Sequence, residues 1–490
     1  MQPQRWTAYA ETGCLAIFLA WLIWLPLPFG SVIERARLPL VAVPLGLCAL
    51  AALIRLIATR DRTNIALPTR AWLIWSNGAL LFLATAALQL VPLPPSLLGF
   101  VSAESLRIWN GAARVAALAG VTTSTHHPIT VDPQLTGFEL LRLCALFATF
   151  LVAALLIRTH GRRRALAIAL CLGAAFQAIY GFREAALQRY EIWGWVNKLI
   201  FHRVTGTFVN PNHFGHYVAI VLPMALFLLA VDWHDSGSRD TPILRRLAFL
   251  FERSAIRTIF AAISALCCTA ALLLSQSRGA MVAAAAGLLF TIALLPGRRV
   301  MRVAFAAIGG LAIVAALVLF LGPERTLHRF VPTEIEVNAL EGRRIAVRAA
   351  VAIWHRFSLF GSGLGTFERV VAMDQKEGLE LTYHHAHNDY LELAATAGTV
   401  GAVIALVAFA GGYVWLLRMT FGAASRELSW RRRAFQAAAL ASITIAAVHA
   451  LFDFNFYIPA NPATLVAMAG AAVASVVRDR RADHDKRTRR

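Results

Sequence analysis

Apolar runs of about 20 residues, the length that crosses a hydrocarbon core, follow one another along almost the whole chain with polar connections between them. They fall near residues 12–29, 38–54, 72–90, 140–157, 165–182, 213–231, 258–275, 279–295, 303–321, 398–417, 434–452 and 461–477. The pattern predicts an all-α polytopic membrane protein of about twelve transmembrane helices. Five regions follow from it: N-terminal helices over 1–200, helices with polar outer-face motifs over 201–321, a large outer loop with short helices over 322–397, C-terminal helices over 398–477, and a basic tail over 478–490.

The arginines orient this array, because connections on the cytoplasmic side retain the positive charge. Arg55, Arg60, Arg62 and Arg70, then Arg158 and Arg162 to Arg164, then Arg298, Arg299 and Arg302, then Arg431 to Arg433, all fall in alternate connections, and the tail RDRRADHDKRTRR continues the series. Both termini are thereby expected in the cytoplasm. The first run leads into LPLPFGSV without a small-residue cleavage site and reads as a retained anchor.

Composition agrees with the pattern: 58% of residues are hydrophobic, 15% are charged, and mean hydropathy is +0.61. The net charge of +20 does not imply nucleic acid, since the basic residues are spread over juxtamembrane turns with no aromatic-interleaved basic domain. Cys14, Cys48, Cys144, Cys171, Cys267 and Cys268 all lie in apolar runs and read as small buried hydrophobes.

Attention therefore falls on the polar residues left on the outer side. Three segments hold them: FHRVTGTFVNPNHFGHY (201–217), SQSRGAM (275–281), and 322–397, taken as the only large extramembrane piece. In the first, Asn210 can cap a helix with Pro211 at its first position, and the NPN run to Asn212 with Arg203 upstream suggests a phosphate cradle of backbone N–H groups and guanidinium. In the second, Arg278 sits in a tight turn beside hydrocarbon, where a charge is costly and usually functional; snorkelling to phospholipid headgroups is the alternative. In the third, EGRRIAVRAAVAIWHRF (341–357) predicts an amphipathic helix with Ile345, Ala349, Ala352 and Ile353 on one face and Arg344 and Arg348 elsewhere. Outward arginines call for an anionic ligand. The loop ends in LTYHHAHNDYLELAATAG (381–398), where Asn388 or Asp389 can cap the next helix and Glu392 lies in its first turns.

Four stretches, GTFVNPNHFGHYVAIVLPMAL, LLLSQSRGAMVA, GSGLGTF and HAHNDYLELAATAGTVGAVIAL, occur in this order over roughly residues 200–415. Together they resemble the O-antigen ligase and polymerase family. The resemblance implies an inner-membrane glycosyltransferase that needs no metal or other cofactor and works on the periplasmic face. Its donor would be a glycan on a polyprenyl pyrophosphate carrier, and its acceptor a lipid A core, a carrier-linked repeat or a protein. Carried over by motif, the base is His387 and the pyrophosphate-binding arginines are Arg203 and Arg278. Arg344 or Arg348 is an addition from the loop helix, and Asn210, Asn212, Asn388 and Asp389 complete the substrate-binding set.

That chemistry suits the residue types. Attack by a sugar hydroxyl on an anomeric carbon needs a base at the acceptor and positive charge at the departing pyrophosphate, and imidazole and guanidinium supply the two near neutral pH. Because His384 and His385 precede His387, the base is open by a residue or two; a structural histidine or a zinc site of the three are the competing readings. Asp453, one turn after His449, is a further outward pair explained equally by capping. Transport or flipping of a lipid-linked glycan is the other class of function. Against it, the run interiors are almost uncharged and the two halves do not repeat. A reporter fused after residue 360 should read periplasmic and one after residue 428 cytoplasmic; a cytoplasmic signal at 360 would remove the basis for the outer-face site.

Overall fold

A computed structural model describes residues 2–59, 70–196, 203–237, 241–253, 255–294, 334–374, 383–423 and 428–476. Its helices are α1 (Gln2–Trp24), α2 (Glu34–Thr59), α3 (Arg70–Leu88), α4 (Pro95–Val101), α5 (Ala103–Leu118), α6 (Pro133–Leu156), α7 (His160–Ala186), α8 (Pro211–Asp235), α9 (Ile243–Arg253), α10 (Ala255–Leu274), α11 (Arg278–Ala293), α12 (Glu334–Arg356), α13 (Phe367–Asp374), α14 (Asp389–Phe421), α15 (Trp430–His449) and α16 (Ala460–Val476). Seven of those described are long and apolar enough to cross a membrane: α1, α2, α6, α7, α8, α10 and α14. Ser76–Leu88, α11 and α16 are shorter apolar helices, and α15 opens on three arginines. The expected ninth span, 303–321, lies outside the described residues.

Local chemistry sets the helix starts. Asp132 and Asn210 accept from backbone N–H groups of the first turns of α6 and α8, each followed by a proline at the first helical position, where no N–H is needed. Ser277 and Asn388 cap α11 and α14 in the same way.

Helix α8 is the axis of the bundle. Its apolar window is 83% buried, against 28% or less for α1, α2, α10 and α14. It packs against α7, α10, α11 and α15. Small residues let backbones approach where hydrophobicity gives no preference between neighbours: a Cβ on Gly470 of α16 would lie 2.3 Å from the Phe150 carbonyl oxygen of α6.

The two ends of the bundle differ in chemistry. At one, Asp232 meets Arg164 at 2.5 Å, Asp235 meets Arg431 at 2.7 Å, and Glu11 meets Arg55 at 3.2 Å and Arg162 at 3.0 Å. At the other lie the starts of α8, α11 and α14, the end of α15, and an outer layer of α4, α5, α12 and α13.

That layer departs from the expected pattern. Residues 89–132 contribute to it as α4, α5 and a following segment that docks beside α12 and α13. Val131 N donates to Ser362 O at 2.9 Å, and Arg356 of α12 meets Glu104 of α5 at 2.6 Å. Burial pushes the Glu104 carboxyl up, but Arg107 and Arg356 outweigh it and hold the group at about 2. The buried face of α12 is also displaced by one residue: Ala346, Ala350, Ile353 and Phe357 are buried, while Ala352 is exposed. The stripe that wins is the one ending on the larger Ile353 and Phe357, which pack on Phe367 and Val370 of α13.

The span expected at 398–417 starts nine residues earlier because its first two turns belong to a separate arm, broken from the rest at Gly398, with φ +69° and ψ −179°. The 358–363 loop satisfies the broken ladder. Ser362 N and Gly363 N donate to Ala395 O and Thr396 O, at 3.1 and 3.0 Å, while Thr399 N and Val400 N donate to Ser358 O and Leu359 O, at 2.8 and 3.1 Å. Buried Gln89 at the end of α3 locks the join, donating to Phe360 O at 2.6 Å and Thr396 O at 2.8 Å and accepting from Leu364 N at 3.1 Å.

A Cβ on Gly361, whose φ is +74°, would fall 2.2 Å from Thr396 O. Gly361→Ala should therefore lower thermal stability in detergent by ~2 kcal/mol or more, from left-handed strain and the collision together. Gly111→Ala, at a position with open space around it, should be neutral or stabilising. Equal effects of the two would disprove the clamp.

Candidate functional site

Asp453, in the connection between α15 and α16, is 1% exposed and sits at the end of the bundle that carries the outer layer. A buried carboxylate is tolerable only with donors around it. Asn212 Nδ2 donates to its Oδ2 at 2.9 Å, Phe454 N to its Oδ1 at 3.0 Å, and His387 Nδ1 lies 3.2 Å from Oδ1. His213 Nε2 is 3.8 Å away, too far for a hydrogen bond but within electrostatic range. Burial pushes the Asp453 carboxyl up; His213 and His387 beside it more than offset this, and it is held well below the usual carboxylate range.

The three loop histidines occupy distinct environments. His384 is 67% exposed and pairs with Glu368 of α13 at 2.9 Å. His385 is 27% exposed, its Nδ1 lying 2.8 Å from Oε1 of Glu392, which is itself 1% exposed and also accepts from Ala386 N at 2.8 Å. His387 is 25% exposed and held by Asp453. Glu392 orients His385 and not His387. His387 has φ +53°, a conformation that costs a non-glycine residue roughly 1–2 kcal/mol, and such strain gathers at working sites. A carboxylate at Nδ1 favours the tautomer with the proton on that nitrogen and the lone pair on Nε2.

Arg203 reaches the turn that precedes Arg278. Arg203 Nε donates to Ser275 O at 2.8 Å and its NH2 to Asn212 Oδ1 at 3.0 Å. Arg278 follows three residues after Ser275, exposed at the first position of α11. One Asn212 side chain thus ties Arg203 to Asp453. The N–H groups at the start of α8 are already used within the chain: Asn212 N donates to Asn210 Oδ1, and His213 N and Phe214 N donate to Asn210 O. Asn210 and Asn212 therefore position side chains and do not offer the expected backbone cradle. Asn388 caps α14 through Leu391 N and donates to Leu451 O at 3.1 Å, while buried Asp389 accepts from Phe456 N at 3.3 Å.

On α12, Arg344 is exposed and pairs with Glu341 at 3.1 Å, and Arg348 is exposed. Arg343, passed over in the sequence, is less exposed than either. Below Asp453, His216 and His449 join Nδ1 to Nδ1 at 2.9 Å, and a Cβ on Gly279 would lie 2.9 Å from His449 Nε2, so the Arg278 turn rests on that ring. Asp453, His213 and Arg343 were the residues that sequence reasoning missed or discounted; a carboxylate in an outer connection between two apolar runs was the available signal. Among the described residues no cluster of three His, Cys, Asp or Glu side chains has a metal-binding arrangement.

The two arms of α14 enclose a cavity of about 240 Å³ beside this site, lined mainly by apolar groups such as Leu393, Leu406, Phe409 and Phe456, with Arg142 and Asp389 at its polar edge.

Residues 263–406 match the protein family described as O-antigen ligase. The match takes in three of the four quoted stretches, so this part of the chain is similar to that family. No curated protein matches the chain.

The lowered Asp453 pKa has a measurable consequence. Its folded value lies below the unfolded one of about 3.9, so the stability it contributes is present above that pH and is lost as pH falls through the folded value. Asp453→Asn should lower the melting temperature at pH 7, and its deficit should shrink below about pH 4. A deficit constant from pH 7 to strongly acid pH would overturn the assignment.

Proposed function

We propose that this O-antigen ligase-type chain moves a glycan from a polyprenyl pyrophosphate carrier to an acceptor hydroxyl on the periplasmic face of the inner membrane, with no metal in the reaction. The acceptor oxygen attacks the anomeric carbon, the bond from that carbon to the pyrophosphate oxygen breaks with its electron pair leaving on the pyrophosphate, and the hydroxyl proton passes to His387 Nε2. Asp453 holds the ring in the required tautomer and faces the imidazolium that forms. Arg203 and Arg278 meet the charge that develops on the departing group, where fixed donors are worth most.

The observation that carries this reading is the continuous set of contacts from His387 through Asp453 and Asn212 to Arg203 and Ser275, three residues before Arg278. A shared frame for an imidazole and a guanidinium supports the reading, because acceptor activation and leaving-group stabilisation must act together.

His387→Ala should reduce turnover of a prenyl-pyrophosphate-linked glycan by about 10²–10⁴-fold with donor binding nearly unchanged. Arg278→Ala should weaken both donor binding and turnover, and Arg278→Lys should recover only part of the loss because the planar fork is gone. Activity should survive EDTA. Loss on chelation with recovery on adding Zn²⁺ or Mg²⁺, or full activity in His387→Ala, would sink the proposal.

A further inference from the structure

The site contains a second imidazole that the reaction above leaves unused. His385 and His387 lie two residues apart and against the same ring: the Phe454 centroid is 4.3 Å from that of His385, with the planes at 21°, and 5.0 Å from that of His387, at 73°. Tyr457 is the other neighbour of His385, at 4.8 Å. These contacts occupy the faces of the His385 ring and leave its edge. Glu392 then fixes which edge, since Nδ1 lies 2.8 Å from Oε1 and the ring cannot rotate without losing both the bond and the stack. Nε2 makes no hydrogen bond within the described residues and is not among the fully buried unsatisfied atoms.

A ring needed only to brace the loop has no reason to keep one nitrogen at an accessible edge. The bracing is done by Glu392, whose second oxygen takes Ala386 N at 2.8 Å.

We infer that His385 is a substrate-contacting residue whose Nε2 accepts a hydrogen bond from an acceptor-sugar hydroxyl next to the one His387 deprotonates. The inference rests on His387 being the base. Two imidazoles held by two buried carboxylates would then address neighbouring hydroxyls of one sugar, one removing a proton and the other fixing the orientation of the ring. The site would thereby favour acceptors with an unsubstituted hydroxyl beside the one that reacts. A site built to hydrogen-bond a hydroxyl discriminates strongly against analogues that lack it.

Two measurements on the purified full chain test this. The first needs no substrate: in ¹⁵N-histidine spectra at neutral pH, with His385 assigned by difference from His385→Asn, the Nε2 signal should be that of an unprotonated ring nitrogen. A protonated Nε2 overturns the inference. The second uses a prenyl-pyrophosphate-linked glycan as donor and methyl glycosides of glucose, galactose, mannose and their N-acetylamino counterparts, with the monodeoxy analogues, as acceptor probes. Binding is followed by saturation-transfer NMR and turnover by product formation.

In His385→Ala, KM or Kd for the glycosides should rise roughly tenfold or more with kcat and its pH profile little changed. Removing the hydroxyl next to the reacting one should cost the wild type the same factor and the variant almost nothing. His385→Gln, which retains an acceptor oxygen, should recover part of the loss. Unchanged glycoside affinity in His385→Ala, or a fall in kcat alone with a lowered melting temperature, would assign the ring a structural role. If His385→Ala abolishes turnover while His387→Ala does not, the base itself is misassigned and the proposed function falls with it; a loss of acceptor affinity in His385→Ala beside a loss of kcat in His387→Ala supports both.

Discussion

A carboxylate taken out of water at the end of a helical bundle must be surrounded by donors, and the elements that supply them must come to it. Asp453 is that group. Its donors come from the first turn of α8, from its own connection, and from the loop that ends at His387. Three parts of the chain that are distant in sequence are drawn to one point, and their side-chain orientations follow. Because Asn212 turns its amide nitrogen toward Asp453, its oxygen faces Arg203. Because His387 must reach the same carboxylate, its backbone enters the left-handed region one residue before the cap of α14. Removing the charge would leave each of these groups correctly made and poorly aimed.

The frame that brings these parts within reach is the broken helix. An unbroken α14 would carry Asp389 and its neighbours away from the end of α15. The break at Gly398 turns the first arm back, so that Asp389 N donates to Ala450 O at 2.9 Å and Tyr390 Oη to Ala447 O at 2.8 Å. Such a break in a low-dielectric setting leaves backbone groups that must find partners within the protein. The 358–363 loop and Gln89 provide them, which is why the outer layer and the membrane helices cannot be treated as separate structures. The cavity between the arms is the space this geometry leaves beside the site.

Two carboxylate–imidazole pairs stand on the same aromatic ring, yet they are not equivalent. Asp453 is shared among donors from several segments and communicates with the arginines. Glu392, in the first turn of α14, holds the loop just before it through His385 and Ala386 N. The first pair is thus coupled to the charged side of the site and the second is local, a difference that residue identity alone does not convey.

The sequence by itself determined the helical class, the approximate place of the apolar helices and the residue types of the site. Each follows from local physics: runs of apolar side chains long enough for hydrocarbon, proline and asparagine at helix starts, and polar groups too costly to leave without purpose in a lipid-facing chain. It also brought Arg203 and Arg278 forward as charges beside apolar runs, and His387 through the resemblance of its motif to the O-antigen ligase and polymerase family. Only the tertiary structure decided which histidine is held by which carboxylate, that Asp453 is the hub and not merely a cap, that the buried face of α12 is the one ending in Phe357, and that residues 89–132 belong to the outer layer. These are long-range matters. A hydrogen bond between residues 66 positions apart, or a glutamine that bridges positions 89, 360 and 396, leaves no periodicity in the chain, since the energy that selects it comes from satisfying buried polar groups and appears only once the helices have packed.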